Sequence, residues 1–136
     1  MNLFDLIGRP FHLHTRADSL AIGADDGQVM VGGKPSPWQL EPASGRDAFR
    51  ILSSENLSLA WTALEGTKPL RVGLLPSLDP DASSFRIAPF AGEEGAYEIL
   101  YGQDKGVSVY KPNETGPQPL TLLGASSAYP ILITPA

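Results

Sequence analysis

Two tyrosines in the last third of the chain stand among side chains that could bind a sugar. Tyr101 and Tyr110 flank Gln103 and Asp104, and Asn113 follows shortly after. An aromatic ring packs against the apolar face of a pyranose, while amide and carboxylate groups hydrogen-bond its hydroxyls. If a hairpin joins the tyrosines, we expect both rings to lie close together across it. The pattern predicts either a carbohydrate site or an aromatic pair that only stabilises the hairpin.

Basic and amide residues in turn-like segments form a second group of candidates. Lys34 precedes Pro35, Lys111 and Asn113 lie on either side of another proline, and Asn56 lies in a polar stretch. A peptidase inhibitor needs a rigid, exposed loop that presents one side chain to the specificity pocket of the enzyme. A lysine suits an acidic pocket, and Asn113 suits an asparagine-specific peptidase. The alternative is ordinary turn chemistry without a function.

Catalytic and metal-binding patterns are weak in this sequence. His12 and His14 share one face of a predicted strand, a spacing that could chelate a metal, but no third ligand is identifiable. There is no cysteine and no Gly-x-Ser-x-Gly nucleophile motif. Glu93 and Glu94 are adjacent in a predicted turn, which is unlike the carboxylate pair of a glycosidase. The sequence predicts a non-enzymatic protein with no metal and no cofactor.

Composition narrows the class of partner. The 136 residues are 42% hydrophobic and carry a formal net charge of -5, and the ten basic residues are scattered. This balance disfavours a nucleic-acid partner, which needs a basic patch. No segment is long and apolar enough to span a membrane, and the N-terminus lacks the pattern of a signal peptide. We therefore expect a cytoplasmic protein whose partner is a peptidase or a glycan.

A repeated pattern predicts the elements that position these residues. Aromatic-polar-aliphatic triplets recur with a period of roughly 40 residues, which indicates a repeated supersecondary unit. Between them, apolar residues alternate in short runs that are typical of half-buried strands, and Gly- and Pro-rich turns separate the runs. We predict one all-β domain, 1–136, with twelve strands in three four-stranded units. The units span about 8–45, 46–94 and 95–135.

This pattern resembles the β-trefoil, in which the first and fourth strands of each unit close a six-stranded barrel and the middle hairpins cap it. The alternation then predicts which side chains point inward. The expected inward residues are Phe11, Leu13, Trp38, Leu40, Phe49, Ile51, Phe85, Ile87, Tyr97, Ile99 and Ile131. The expected outward residues are His12, Arg50, Arg86 and Glu98, and Trp61 is expected in the hairpin cap.

Two trefoil families are similar to this chain. Ricin-type lectins carry a glutamine two residues before the aromatic of the fourth strand, and Ser36, Ser83 and Ser127 occupy that position here. The segments 25–33 and 37–42 resemble the cysteine-free trefoil inhibitors of fungal fruiting bodies, which block peptidases through surface loops. The resemblance implies a peptidase inhibitor acting through surface loops. The alternative is a ricin-B-like lectin with its site in the third unit.

Overall fold

The computed structural model describes residues 2–76, 79–114 and 116–136. Within these ranges the chain consists mainly of β-strands, with short 3₁₀ segments at Leu3–Leu6 and Ala125–Ser127. The prediction of an all-β chain is confirmed. The strands are β1 (Phe11–Thr15), β2 (Ala21–Asp25), β3 (Gln28–Val31), β4 (Trp38–Pro42), β5 (Ala48–Ser53), β6 (Leu59–Leu64), β7 (Leu70–Pro76), β8 (Phe85–Pro89), β9 (Ala96–Tyr101), β10 (Lys105–Ser108), β11 (Gln118–Pro119), β12 (Thr121–Gly124) and β13 (Ile131–Pro135).

Six strands pair into a closed ring. Around the ring, β1 pairs with β4, β4 with β5, β5 with β8, β8 with β9, β9 with β13, and β13 with β1. All six pairings are antiparallel. Closure leaves the ring without a free edge that could pair with another chain. These are the barrel strands that the trefoil resemblance implies.

Six of the remaining strands form three hairpins that pair with one another. β2 pairs with β3, β6 with β7, and β10 with β12, while β7 also pairs with β3 and with β12. At the junction, the Leu120 N–H donates to the Val29 carbonyl at 2.9 Å, and the Leu120 carbonyl accepts from the Val72 N–H at 3.1 Å. These three side chains are fully buried. The hairpins therefore meet around an apolar centre.

The strand count differs from the prediction of twelve, because the described residues contain thirteen strands. The extra strand arises where one extended segment is divided at Leu120. Before this residue β11 pairs with β3, and after it β12 pairs with β7 and β10. Pro119 has no N–H to continue a ladder. The sequence alternation continues through Leu120 and Leu122, so it does not reveal the change of partner.

The predicted core is confirmed. Every residue expected to point inward is buried, with an exposed fraction no higher than 9%. The four residues expected to point outward are all partly or fully exposed. Burial on this scale stabilises the fold by about 25 cal/mol for each Å² of apolar surface removed from water. The period-two pattern therefore identified the inner face of the barrel strands correctly.

Four aromatic rings form a continuous stack from the core to the surface. Trp38 and Trp61 meet edge to face with ring centroids 5.5 Å apart, and Trp61 meets Phe85 in the same way at 5.9 Å. Phe85 then contacts Tyr101 at 5.4 Å in a tilted geometry. Trp61 lies on β6 and is fully buried, as expected for a residue of the hairpins. The stack links these hairpins, the barrel and the half-buried Tyr101.

The N-terminal segment packs against one part of the barrel. Leu6 is buried, Ile7 forms a parallel bridge with Leu40, and the exposed ring of Phe4 lies 5.7 Å from that of Phe49. Across the described part of the chain, none of the helical segments has the length and apolar character needed to cross a membrane.

Candidate functional site

Tyr101 occupies the end of β9, where the third unit meets the second. The register places it opposite Lys105, one turn away. Its hydroxyl donates to Glu65 Oε1 over 3.4 Å, and its ring lies against Phe85. Burial raises the pKa of Tyr101 above 10.0, and the negative charges of Glu65 and of two nearby aspartates raise it further. The tyrosine is therefore a neutral, supported ring at physiological pH.

A cleft of about 410 Å³ opens beside Tyr101. The polar and charged residues that line it include Arg46, Asp81, Ser84 and Arg86. The cleft thus combines an aromatic ring with donors and acceptors from separate parts of the second unit. The sequence pattern indicates Tyr101 as a candidate, but it does not predict that these residues lie beside it.

Pairing of the barrel strands positions Arg86. Arg86 lies on β8, opposite Ala48 of β5 on one side and Leu100 of β9 on the other. The strand alternation directs its side chain outward, away from the barrel core. One guanidinium nitrogen, Nη2, donates to the Gly102 carbonyl at 2.9 Å. This bond orients the group while leaving its other N–H donors available.

The turn between β4 and β5 positions Arg46. Gly45 and Asp47, on either side of it, both adopt the left-handed backbone conformation, with φ of 110° and 57°. The Asp47 carbonyl accepts a hydrogen bond from the Ile87 N–H at 3.1 Å, which attaches the turn to β8. Arg46 is therefore presented from a turn that is fixed to the strand carrying the second arginine.

The two tyrosines do not share a site. Tyr101 faces Lys105 across the hairpin, and Tyr110 lies five residues beyond that lysine, about 17 Å further along an extended chain at 3.3 Å per residue. Tyr110, half exposed, lines a different cleft of about 370 Å³ with Arg71, Lys111 and three prolines. The expectation of a close pair is wrong, because β10 runs away from the end of β9 that carries Tyr101.

The other predicted sugar-binding residues lie outside the Tyr101 cleft. Gln103 and Asp104 are exposed in the β9–β10 turn, and the Asp104 carbonyl accepts from the Ala125 N–H at 2.8 Å. Asn113 is exposed in the loop between β10 and β11. The structure does not bring these three side chains together with Tyr101 in one lining.

Lys34 and Pro35 lie exposed in the loop between β3 and β4. Lys34 lines a pocket of about 460 Å³ with Asp25 and Met30. The loop packs so closely on β2 that a Cβ at Gly23 would overlap the Lys34 carbonyl oxygen. This contact holds the backbone of Lys34 in place, and the pocket has no aromatic residue in its lining.

Asn56 uses its side chain within its own turn. Its Oδ1 accepts from the Ser58 N–H at 3.1 Å and from the Ser58 hydroxyl at 2.6 Å. The Asn56 N–H in turn lies 3.3 Å from the carbonyl oxygen of Ser53. These bonds are those of a polar turn, and they engage the side-chain oxygen of Asn56 within that turn.

A side chain braces the backbone at Lys111. Gln118 accepts from the Lys111 N–H through Oε1 and donates to the Lys111 carbonyl through Nε2, both at 2.9 Å. The Lys111 side chain is exposed and lies 3.7 Å from the carboxylate of Glu114. An amide that pairs with both backbone groups acts like a neighbouring strand and fixes the backbone at Lys111.

The described part of the chain holds no group of three or more His, Asp or Glu side chains arranged to bind a metal ion. His12 and His14 lie on β1, where they face Thr134 and Leu132 of β13. The structure therefore gives no third ligand to this pair among the residues that it describes.

No family model and no curated protein match the chain. Solved structures do match. A ricin B-like lectin from Macrolepiota procera, in complex with lactose, has a TM-score of 0.75 at 18% identity over 96% of this chain and 97% of that one. The designed three-fold symmetric protein ThreeFoil has a TM-score of 0.73 at 14% identity over 93% and 99%. The chain is a β-trefoil. A mosquitocidal holotoxin has a TM-score of 0.75 at 16% identity over 97% of this chain, which spans 18% of the toxin.

The β-trefoil uses serine where ricin-type lectins carry their glutamine. Ser36 accepts from the Ala24 N–H at 2.9 Å, and the Ser83 and Thr62 hydroxyls are 3.1 Å apart. In both units the serine is buried and links the segment just before the fourth strand to a hairpin strand. Ser127 is exposed in the second 3₁₀ segment, and among the residues that the structure describes it makes no such link. Two of these positions are therefore bracing positions in this β-trefoil.

Proposed function

We propose that this β-trefoil binds glycans through the cleft beside Tyr101. The observation that carries the proposal is the lining itself, in which a supported tyrosine lies together with two arginines, an aspartate and a serine. A sugar offers an apolar face to the ring and several hydroxyls that both donate and accept hydrogen bonds. The cleft supplies both kinds of partner.

Support of the ring strengthens this proposal. Phe85 is fully buried and contacts Tyr101, which restricts the tyrosine before any ligand arrives. A restricted side chain loses less entropy on binding. The Macrolepiota procera lectin, which shares the fold, is described in complex with lactose, and this supports carbohydrate as the ligand class.

A glycan array followed by calorimetry on the bound sugars tests the proposal with two matched variants. Tyr101→Ala removes the ring in the cleft, whereas Tyr110→Ala removes an equally large, half-exposed ring from the other cleft. We expect Tyr101→Ala to lose at least about tenfold in affinity, which corresponds to 1.4 kcal/mol, and Tyr110→Ala to bind like the wild type. Circular dichroism must show both variants folded.

The opposite ranking of the two variants would move the site to the Tyr110 cleft. Failure of the wild type to bind any glycan would remove the function altogether.

Peptidase inhibition is a second candidate, and one observation favours it. The Gln118 brace holds the backbone of Lys111 rigid while its side chain stays exposed, which a substrate-like loop requires. We expect inhibition of a trypsin-like peptidase to be lost in Lys111→Ala and kept in Lys34→Ala, and inhibition of an asparagine-specific peptidase to be lost in Asn113→Ala. A peptidase panel on which the wild type inhibits nothing would eliminate this candidate.

A further inference from the structure

Arg46 and Arg86 line the Tyr101 cleft, and neither has an ion-pair partner among the described residues. The ion pairs among the described residues join other groups: Arg16 to Glu93, Arg50 to Glu41, and Lys111 to Glu114. Within the same ranges, Arg46 makes no side-chain hydrogen bond, and Arg86 makes only the one to the Gly102 carbonyl. Although the formal net charge of the chain is -5, two arginines that line one cleft make no ion pair with any described residue.

We propose that the sugar bound beside Tyr101 is an acidic one, a saccharide whose carboxylate is held by Arg46 and Arg86. This inference rests on the proposed glycan-binding function and specifies its ligand. A guanidinium presents a planar fork of donors that matches a carboxylate, and such charge-assisted bonds are about twice as strong as neutral ones. Uronic and sialic acids carry a carboxylate directly on the pyranose ring, so the ring can contact Tyr101 while its carboxylate meets the arginines.

The charge distribution around the cleft favours a carboxylate over a phosphate. Asp81 lines the cleft, and the negative charges of Glu65, Asp79 and Asp81 all act on Tyr101. A phosphate monoester carries about 1.5 to 2 negative charges near pH 7 and would be repelled more strongly by these groups than a singly charged carboxylate. The same aspartate can accept hydrogen bonds from sugar hydroxyls. The cleft therefore fits a ligand with one negative charge and several hydroxyls.

The Arg86 guanidinium and the backbone turn that carries Arg46 are both held before the ligand arrives. Arg86 is fixed by the Gly102 carbonyl at 2.9 Å, and the turn that carries Arg46 is attached to β8 through the Asp47 carbonyl. The two attachments involve consecutive residues of β8, Arg86 and Ile87. Preorganised donors lower the cost of binding, so the preference for an acidic sugar should be measurable at a single site.

The test compares sugars that differ only in the acidic group. Calorimetry with a glucuronic-acid-terminated and a glucose-terminated oligosaccharide isolates the carboxylate, and sialylated and sulfated oligosaccharides serve as further arms. We expect the wild type to bind the glucuronic acid form at least about tenfold more tightly than the glucose form, by charge-assisted bonds. High salt should reduce this ratio, because the arginines are accessible to solvent.

Arg46→Gln removes one guanidinium at a position whose side chain makes no hydrogen bond within the described residues. We expect this variant to lose most of the preference for the glucuronic acid form over the glucose form. Arg9→Gln is the matched control, since Arg9 is exposed, unpaired among the described residues and absent from the cleft lining. It should keep the full preference.

Equal binding of the glucose and glucuronic acid forms would overturn the acidic-sugar inference and leave the glycan-binding function standing. Tighter binding of the sulfated form than of either carboxylated form would overturn the carboxylate assignment. Preference retained in Arg46→Gln, or lost equally in Arg9→Gln, would overturn the role given to this arginine. A wild type that binds none of these sugars, on this panel or on the wider array, would overturn both proposals.

Discussion

Replacing Phe85 with leucine should destabilise the fold and weaken the candidate site together. Phe85 is fully buried and contacts two rings, Trp61 at 5.9 Å and Tyr101 at 5.4 Å. Each aromatic pair contributes about 0.5 to 1.5 kcal/mol beyond its buried area. The different shape of leucine costs roughly another 1 kcal/mol in a packed core. We therefore expect the free energy of unfolding to fall by about 2 to 4 kcal/mol.

Urea unfolding followed by tryptophan fluorescence measures this loss. Trp38 and Trp61 are both fully buried, so their emission reports exposure of the core on unfolding. With a slope of about 2 kcal/mol per molar urea, the midpoint should fall by about 1 to 2 M without a change in slope. A domain with about 5 to 15 kcal/mol of stability remains folded after such a loss, so binding can still be measured.

Phe4→Leu is the matched control for this prediction. The Phe4 ring is 60% exposed and contacts one ring, that of Phe49, at 5.7 Å. The same substitution there should cost less than about 1 kcal/mol and leave glycan affinity unchanged. If Phe85→Leu costs no more than Phe4→Leu, the ring stack does not support the fold. If it destabilises the fold but leaves glycan affinity intact, the stack does not support the site.

Three further predictions concern a close contact, a brace and a titration. Gly23→Ala should destabilise by about 3 kcal/mol in chemical denaturation, because the new Cβ overlaps the Lys34 carbonyl oxygen. Gln118→Met should cost about 1 to 3 kcal/mol and speed hydrogen exchange at the Lys111 amide, because both backbone groups lose their partner. The pKa of Tyr101 is raised in the folded state, so its hydroxyl keeps its proton to a higher pH there than in the unfolded chain. Its contribution to the free energy of unfolding is therefore fully present below pH 10.0 and is lost as the pH rises through the folded-state pKa. Tyr101→Phe should reduce this alkaline loss of stability.

Each of these predictions has a control within the chain. A Cβ at Gly116 meets no atom within 4 Å, so Gly116→Ala should have little effect, and equal losses at both glycines would refute the packing argument. Gln103→Met changes an exposed glutamine, and exchange at Lys111 should then stay slow. For the alkaline limb the control is Tyr110→Phe at a half-exposed position. A pH profile that Tyr110→Phe and Tyr101→Phe change alike would remove the special role of Tyr101.

The barrel could be predicted from the sequence because its rule is local. Inward and outward residues alternate along each barrel strand, so one aromatic such as Phe49 predicts the orientation of Ile51 and the opposite orientation of Arg50. The division of the strand at Leu120 follows another rule. It depends on which strands lie on either side, and a period-two pattern carries no information about pairing partners.

Only some residues of the candidate site could be predicted from the sequence, because the site also depends on which strands pair. Tyr101 stood out by its type and its polar neighbours, and Arg86 was correctly expected on the outer face. Their meeting with Arg46 depends on β8 pairing with β5 on one side and β9 on the other. Tyr110, close to Tyr101 in sequence, is carried to another cleft by β10. Closeness in sequence did not predict which residues share a cleft, because β10 leads from the turn after Tyr101 to a different part of the surface.

A nuclear magnetic resonance titration of the labelled protein with the tightest-binding oligosaccharide tests the central claim most directly. If the Tyr101 cleft is the glycan site, the largest chemical-shift changes fall on the backbone amides of its lining, among them Arg46, Ser84 and Gly102. Changes centred instead on Tyr110 or Lys34, with the Tyr101 cleft unaffected, would contradict the account.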